Sequence, residues 1–199
     1  MILVKRMMVF ILIILTGPIL TGSTGSGLYA ADHSTVDGTS FAGTVDEDGV
    51  QLYLSGTALL RYMLFIKAYA GAFYLPRGKS GDQALSDIPK YLVLEYRVGI
   101  SAEDFAKATS QKIRESVTSE EYERLRPDID RFNRLYRDVN AGDRYALGYI
   151  PGRGTRLIYN TTPLGMIEGY EFSRAVFSIW LGDNPIDTSF RDRLLGKRQ

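Results

Sequence analysis

The sequence feature that most constrains the fold is the segment Leu64–Leu75, in which both sets of alternating residues are largely apolar. One set is Phe65, Lys67, Tyr69, Gly71 and Phe73, and the other is Ile66, Ala68, Ala70, Ala72 and Tyr74. A strand with apolar side chains on both faces needs a covering layer on each side of its sheet. The segment therefore predicts an interior strand, which ends at Pro76 and the "RGKSGD" turn.

The segments around this strand predict an α+β order of elements. A hairpin with a "DEDG" turn precedes it, and a second strand, "YLVLEYRV", follows it. Ser101 caps a helix that runs to about Glu115, and "TSEE" opens a second helical stretch that Pro127 breaks. A hairpin around "PGRG" and two helices, "EFSRAVFSIWLG" and "DTSFRDRLLG", complete the chain. This order differs from the strand–helix alternation of a doubly wound sheet.

The first 30 residues have the layout of a secretory signal peptide. Lys5 and Arg6 precede an apolar run, Met7–Leu20, and small residues lead up to Ala31. The run is shorter than the about 20 residues that a membrane span requires. We therefore expect cleavage after Ala30, a periplasmic or secreted product without a stable membrane span, and one domain over residues 31–199. An uncleaved amino-terminal anchor is the alternative.

The composition excludes several classes of function. Two of the 24 basic residues fall in the leader, which leaves 22 against 23 acidic residues without blocks of like charge. That balance argues against nucleic-acid binding. The chain has no cysteine, and its single histidine, His33, falls in a polar lead-in expected to be disordered. A Ser-His-Asp triad, a Cys-His pair and a histidine-built zinc site are therefore excluded. We expect no cofactor, and the sequence gives no sign of the oligomeric state.

Arg61 is the polar residue that most needs an explanation, because it lies among the strand-forming residues Gly56–Pro76, "GTALLRYMLFIKAYAGAFYLP". A guanidinium cannot lose its charge, so its burial requires an anionic or strongly polar partner. A carboxylate from a neighbouring element would meet this requirement, and so would the head group of an anionic ligand.

Four segments together resemble the chalcone isomerase-like family, in particular its exported bacterial branch. They are "GTALLRYMLFIKAYAGAFYLP", "PKYLVLEYRVGISAEDFAKA", "GDRYALGYIPGRGT" and "EFSRAVFSIWLGDNPID", and the similarity extends from about Val45 to Gly196. The resemblance implies an open-faced β-sandwich, in which helices pack on one side of a large antiparallel sheet and a ligand cleft lies between them. Some members of this family cyclise a phenolic enone, whereas others hold fatty acids and have no isomerase activity.

The resemblance also implies a set of site residues. The family arginine that steers a phenolate or grips a carboxylate falls on Arg61, and the hydroxyl-bearing position of the next strand falls on Tyr69. The tyrosine that completes the isomerase site falls on Phe105, the family asparagine on Lys112, and a late serine or threonine on Ser173. Phenylalanine cannot donate a hydrogen bond to a developing oxyanion, and the loss of one such donor typically costs about 3 kcal/mol of barrier.

We therefore predict non-catalytic binding of a fatty acid or another small lipophilic acid in an apolar cleft. Arg61 and Tyr69 would hold the head group, and Phe105, Lys112 and Ser173 would also line the cleft. The alternative is an intramolecular lyase or isomerase that uses Arg61, Tyr69 and bound water, and a third possibility is a structural role with an unused cleft. Each residue also has an ordinary structural interpretation: an ion pair for Arg61, core packing for Tyr69 and Phe105, a solvated cation for Lys112 and a satisfied hydroxyl for Ser173.

Overall fold

A computed structural model describes residues 33–62 and 66–197 of the chain. The predicted signal peptide, residues 1–30, lies outside the described residues. In the part of the chain that is described, no helix is both long enough and apolar enough to cross a membrane.

The described residues form one large antiparallel sheet and a separate β-hairpin. The strands are β1 (His33–Val36), β2 (Thr39–Ala42), β3 (Thr44–Glu47), β4 (Val50–Tyr62), β5 (Ile66–Leu75), β6 (Lys90–Tyr96), β7 (Arg144–Ile150), β8 (Gly154–Tyr159) and β9 (Thr162–Ile167). β3 to β9 pair in chain order, each antiparallel to the next, and β1 pairs with β2. Antiparallel neighbours can be joined by short connections, as β3–β4 and β7–β8 are, whereas residues 97–143 separate β6 from β7.

Helices pack on one face of this sheet. They are α1 (Ala102–Ser116), α2 (Ser119–Asn133), α3 (Tyr170–Leu181) and α4 (Thr188–Leu194). The side chains of Ser101 and Thr118 accept hydrogen bonds from the backbone of the first turns of α1 and α2, as the sequence predicts. Strands, two helices, further strands and two helices give the α+β order of an antiparallel sheet with helices on one face. The predicted fold class is confirmed.

β5 has buried side chains on both faces, so the prediction of an interior strand is confirmed. Tyr69 and Phe73 belong to the larger core, which lies between the sheet and the helices. Ala72 and Tyr74 belong to a smaller core on the opposite face, where Phe41 of β2 packs with them. The second face is thus covered by the β1–β2 hairpin, and the expectation of a disordered lead-in around His33 was wrong. Phe41 supplies the apolar side chain that fixes this hairpin in place.

A charged network fastens the β1–β2 hairpin to the sheet. The carboxylate of Glu95 accepts hydrogen bonds from Thr39 Oγ1 at 2.6 Å, Arg97 at 3.0 Å and Arg144 at 2.6 Å. Arg97 also donates to the backbone carbonyl of Asp37 at 2.7 Å. Burial raises the pKa of Glu95, but the hydrogen bonds from Thr39 and Arg144 outweigh burial and hold it below its ordinary value. The hairpin is therefore held by charge-assisted bonds, which are stronger than neutral ones.

α2 continues through Pro127, where the sequence predicted a break. A proline inside a helix removes one backbone hydrogen bond and costs about 3 kcal/mol. The buried face of α2 offsets this cost, because residues on both sides of the proline enter the core: Tyr122, Leu125, Ile129 and Phe132. Tertiary packing, rather than local propensity, decides the length of this helix.

β9 was not predicted from the sequence, and it contains Pro163 and Gly165. Both residues disfavour a central strand. β9 lies at the edge of the sheet, where it pairs only with β8 among the described strands. An edge strand tolerates a proline, because one side of its backbone has no partner strand to bond.

Candidate functional site

An apolar cavity of about 230 Å³ lies between the helix-covered face of the sheet and α1 and α3. Its walls are mainly aromatic and aliphatic: Tyr69, Leu92, Leu94, Tyr96, Ile100, Phe105, Ala108, Tyr136, Tyr145, Leu147, Leu157, Ile179, Trp180 and Ile186, together with Asp104, Thr109 and Lys112. The central strands supply the floor, because alternate residues of β5 to β8 point towards the helices. An apolar cavity with a few polar groups is the usual form of a small-molecule site.

α1 forms the rim of the cavity. Asp104, Ala108 and Lys112 follow one another at intervals of four residues, so they lie on one face of the helix. Lys112 Nζ lies 3.0 Å from Glu115 Oε2, and its side chain is 18% exposed, whereas that of Glu115 is 40% exposed. Of the described residues that line the cavity, Lys112 alone carries a positive charge. The rim therefore offers one ammonium group, which can exchange its exposed carboxylate partner for the carboxylate of a ligand.

The polar atoms deeper in the cavity bond to one another. Trp180 Nε1 donates to the Tyr69 hydroxyl at 3.0 Å, and the hydroxyls of Thr109 and Tyr136 are 2.9 Å apart. The Tyr145 hydroxyl donates to the carbonyl of Arg137 at 2.9 Å and accepts from its N–H at 2.7 Å. These bonds engage the hydroxyls of Tyr69, Thr109, Tyr136 and Tyr145, so the surface presented to a ligand is mainly hydrocarbon.

The buried tyrosines of the wall stay protonated. Burial raises the pKa of Tyr69, Tyr96 and Tyr136 far above the ordinary value for tyrosine. For Tyr69 the effect of burial exceeds that of the Trp180 hydrogen bond, which lowers the pKa, and the negative charge of Asp187 raises it further. These phenols can form hydrogen bonds at physiological pH, but they do not act as general bases.

Arg61 does not lie in this cavity, so the expectation that it is buried there was wrong. Its side chain is exposed and lines a separate notch with Asp37, Asp187 and Arg193. The physical reason is strand alternation. Leu60 pairs with Tyr69 and points to the helix side, so the next residue, Arg61, points to the opposite face.

The other predicted site residues separate into two groups. Tyr69, Phe105 and Lys112 all line the cavity, on β5 and α1. Ser173 does not line it, and the expectation for this residue was wrong as well. Ser173 lies in α3 with no exposed surface, and its hydroxyl has no hydrogen-bond partner among the described residues. α3 turns this side chain into the packed core, away from the cavity.

Sequence reasoning missed several residues of the wall. Tyr96, Tyr136, Tyr145 and Trp180 surround the cavity. The three tyrosine rings contact one another or Phe105 at centroid distances of 5.2 to 6.1 Å. Trp180 had a usable signal, since it is the tryptophan of the "SIWLG" segment. The three tyrosines had no sequence signal that marked them as site residues, because an aromatic residue in a strand or helix is ordinarily part of a core.

The family of the chain follows from a comparison with protein-family models. The model described as chalcone isomerase-like matches residues 33–196. The chain belongs to the chalcone isomerase-like family. The match begins at β1 and extends beyond α4, so the family match includes the hairpin, the sheet and the helices. Membership confirms the resemblance drawn from the sequence.

A solved structure shares the chalcone isomerase-like fold of the chain. It is the crystal structure of a fatty-acid binding protein from Arabidopsis thaliana, with a TM-score of 0.65 and 14% sequence identity over 83% of this chain and 96% of that chain. At this identity the likeness establishes the fold. Among curated proteins, none matches the chain significantly.

The cavity geometry does not favour the isomerase hypothesis. That mechanism would use Arg61 and Tyr69 together on one substrate, whereas the two side chains project from opposite faces of the sheet. Phe105 stacks on Tyr136 with ring centroids 5.2 Å apart and cannot supply the hydroxyl that the isomerase site uses. The arrangement can enclose a hydrocarbon chain and hold a charge at its rim.

Proposed function

We propose that the cavity binds a small lipophilic carboxylic acid, such as a fatty acid, without changing it chemically. The observation that carries this proposal is an apolar cavity with a single ammonium, that of Lys112, at its rim among the described lining residues. Each methylene buried in such a cavity contributes about 0.8 kcal/mol. The likeness to an Arabidopsis fatty-acid binding protein supports the same class of ligand.

The acid enters with its hydrocarbon tail first, and its carboxylate stays at the rim beside Lys112. A carboxylate placed at the inner end would be buried against Tyr69, which offers one hydroxyl, and near the negative charge of Asp187. A single neutral donor does not offset the cost of burying a charge. At the rim, the carboxylate keeps contact with water and gains an ammonium partner.

Tyr69 and Phe105 contact the tail in this arrangement. The Tyr69 hydroxyl already accepts a hydrogen bond from Trp180, which fixes the orientation of its ring. Phe105 is held by Tyr96, Tyr136 and Tyr145, whose ring centroids lie within 5.3 Å of its own. Rings that are fixed in this way lose little conformational entropy on binding, which favours affinity.

Lys112→Met is expected to lower the affinity for decanoic acid by roughly 10-fold or more at pH 8. A charge-assisted hydrogen bond contributes about 1.5–3 kcal/mol, and exposure of the rim to solvent places this one near the lower figure. Methionine keeps the length of the side chain and removes its charge. The dissociation constants of decanoic acid and of decanol, measured by isothermal titration calorimetry, separate the head-group contribution from the tail contribution.

The matched control is Lys107→Met, because Lys107 is exposed on the same helix and does not line the cavity. We expect this variant to bind both compounds like the wild type, and Lys112→Met to bind decanol like the wild type. If Lys112→Met retained full affinity for the acid, the carboxylate would lie elsewhere.

We also propose that the protein acts outside the cytoplasm, after a leader of residues 1–30 has been removed. The charge and apolar pattern of the leader supports this localisation. Cell fractionation followed by amino-terminal sequencing tests it, and we expect the mature chain to begin at Ala31. Recovery of the full-length chain in the membrane fraction would favour the uncleaved anchor instead.

A further inference from the structure

The notch that contains Arg61 lies close to the inner end of the cavity. It has a volume of about 450 Å³ and lies at the part of β4 that extends beyond β3. Its walls come from the β1–β2 turn, β4 and the α4 region, and they include Asp37, Arg61, Asp187, Phe190 and Arg193. Two arginines and two aspartates make it polar, in contrast to the cavity.

Two aromatic rings stand between the notch and the cavity. Tyr69 lines the cavity and Phe190 lines the notch. Their ring centroids are 5.4 Å apart, and the planes are nearly perpendicular at 89°. The two spaces are therefore separated by this one pair of rings at the point where Tyr69 meets Phe190.

The Phe190 ring occupies a place that the sheet leaves open for it. A side-chain carbon at Gly71 would lie 2.8 Å from Cζ of Phe190, closer than packed carbon atoms approach. Phe190 belongs to α4 and is 1% exposed. A side-chain carbon at Gly56 would lie 2.0 Å from the backbone carbonyl oxygen of Arg193 in the same helix. Two glycines thus let α4 approach the sheet closely enough for Phe190 to support the back of Tyr69.

We propose that Phe190, by supporting Tyr69 from behind, fixes the depth of the cavity and so sets the longest acid that the protein accepts. This inference rests on the proposed function. The tail of a bound acid ends against the Tyr69 ring, which cannot retreat while Phe190 fills the space behind it. A smaller residue at position 190 gives the Tyr69 ring room to move and extends the cavity towards the notch.

The test measures the affinity of wild type, Phe190→Leu and Phe190→Ala for a series of saturated fatty acids of increasing length. In the wild type, affinity rises about fourfold per methylene up to a limiting length and then stops rising. In Phe190→Leu and Phe190→Ala the rise continues to longer acids. Phe190→Leu keeps an apolar side chain in the core, so a result is obtained even if the alanine variant does not fold.

Phe177→Leu is the matched control, because Phe177 is also fully buried but does not line the cavity or the notch. We expect it to keep the limiting length of the wild type. If both Phe190 variants kept that length too, or if Phe177→Leu shifted it equally, the inference would be overturned while fatty-acid binding stood. If the wild type bound no acid of the series, the proposed function itself would fail.

Discussion

Ala108→Trp is expected to weaken the binding of decanoic acid at least about 100-fold while the protein stays folded. Ala108 lies on the exposed rim formed by α1, and an indole at this position extends over the mouth of the cavity. If it keeps about four methylenes of the tail in water, the loss is about 3 kcal/mol. The helix tolerates the change, because the position is exposed and a tryptophan there displaces no core side chain.

Lys107→Trp is the matched control, since this neighbouring position is exposed and does not line the cavity. We expect the control to bind decanoic acid within about twofold of the wild type, because surface substitutions away from a site have small effects. Thermal unfolding of both variants confirms that the comparison concerns binding. If Ala108→Trp bound decanoic acid as tightly as the wild type, the acid would not enter the cavity past Ala108.

Lys90→Met is expected to stabilise the protein at pH 7 by as much as about 3 kcal/mol. Lys90 has no exposed surface, and burial lowers its pKa to about 8, although the negative charge of Asp87 acts in the opposite direction. Its Nζ donates to the carbonyl of Ser86 at 2.6 Å and lies 5.0 Å from the centroid of the Tyr149 ring. Each unit of pKa shift corresponds to about 1.4 kcal/mol, so burying the charged form has a large cost. The Ser86 carbonyl also accepts from the N–H of Ile88 at 2.8 Å, so methionine at position 90 leaves it satisfied.

The stability advantage of Lys90→Met over the wild type depends on pH, and its direction follows from the lowered pKa of Lys90. Between pH 8 and the ordinary lysine pKa of 10.5, the unfolded chain holds a proton at Lys90 that the folded chain has released. The free energy of unfolding of the wild type therefore gains a contribution that rises with pH through this window. Lys90→Met lacks that contribution, so its advantage over the wild type shrinks by about 3 kcal/mol between pH 8 and 10.5.

Urea unfolding of both proteins across this range measures the difference. Deprotonation of the buried tyrosines destabilises both folded proteins at high pH, so this effect cancels in the comparison. Lys107→Met changes an exposed position, so its free energy of unfolding is expected to differ from that of the wild type by the same amount at every pH in this range. An advantage for Lys90→Met that stayed constant with pH would mean that Lys90 is buried without a lowered pKa.

The parts of the fold that were predictable are those with a strong local signal. The two apolar faces of β5 required cover on both sides, and Ser101 and Thr118 marked the starts of α1 and α2. Pro127 gave a local signal that pointed the wrong way, and the proline of β9 is likewise a residue that disfavours the observed strand. In both cases, burial in the core or position at the sheet edge outweighed the local preference.

The candidate site was predictable only in part, because its composition depends on strand register. Tyr69 and Arg61 both lie on strands that the sequence predicts, yet the pairing of Leu60 with Tyr69 places them on opposite faces. A shift of one residue in register exchanges the two faces of a strand. The register also shifts between Leu60 and Arg61, an irregularity for which the sequence gave no sign. Phe105 and Lys112 were identified through the family resemblance, and both lie on α1, where side-chain spacing, unlike strand register, is fixed by the sequence itself.

A crystal structure of the protein with an ω-bromo fatty acid tests the central claim most directly. The anomalous signal of the bromine locates the end of the tail, and the electron density locates the carboxylate. We predict bromine at the inner end of the cavity beside Tyr69, and a carboxylate oxygen within hydrogen-bonding distance of Lys112 Nζ. Bromine at the rim, or a carboxylate bound to Arg61 in the notch, would contradict this account.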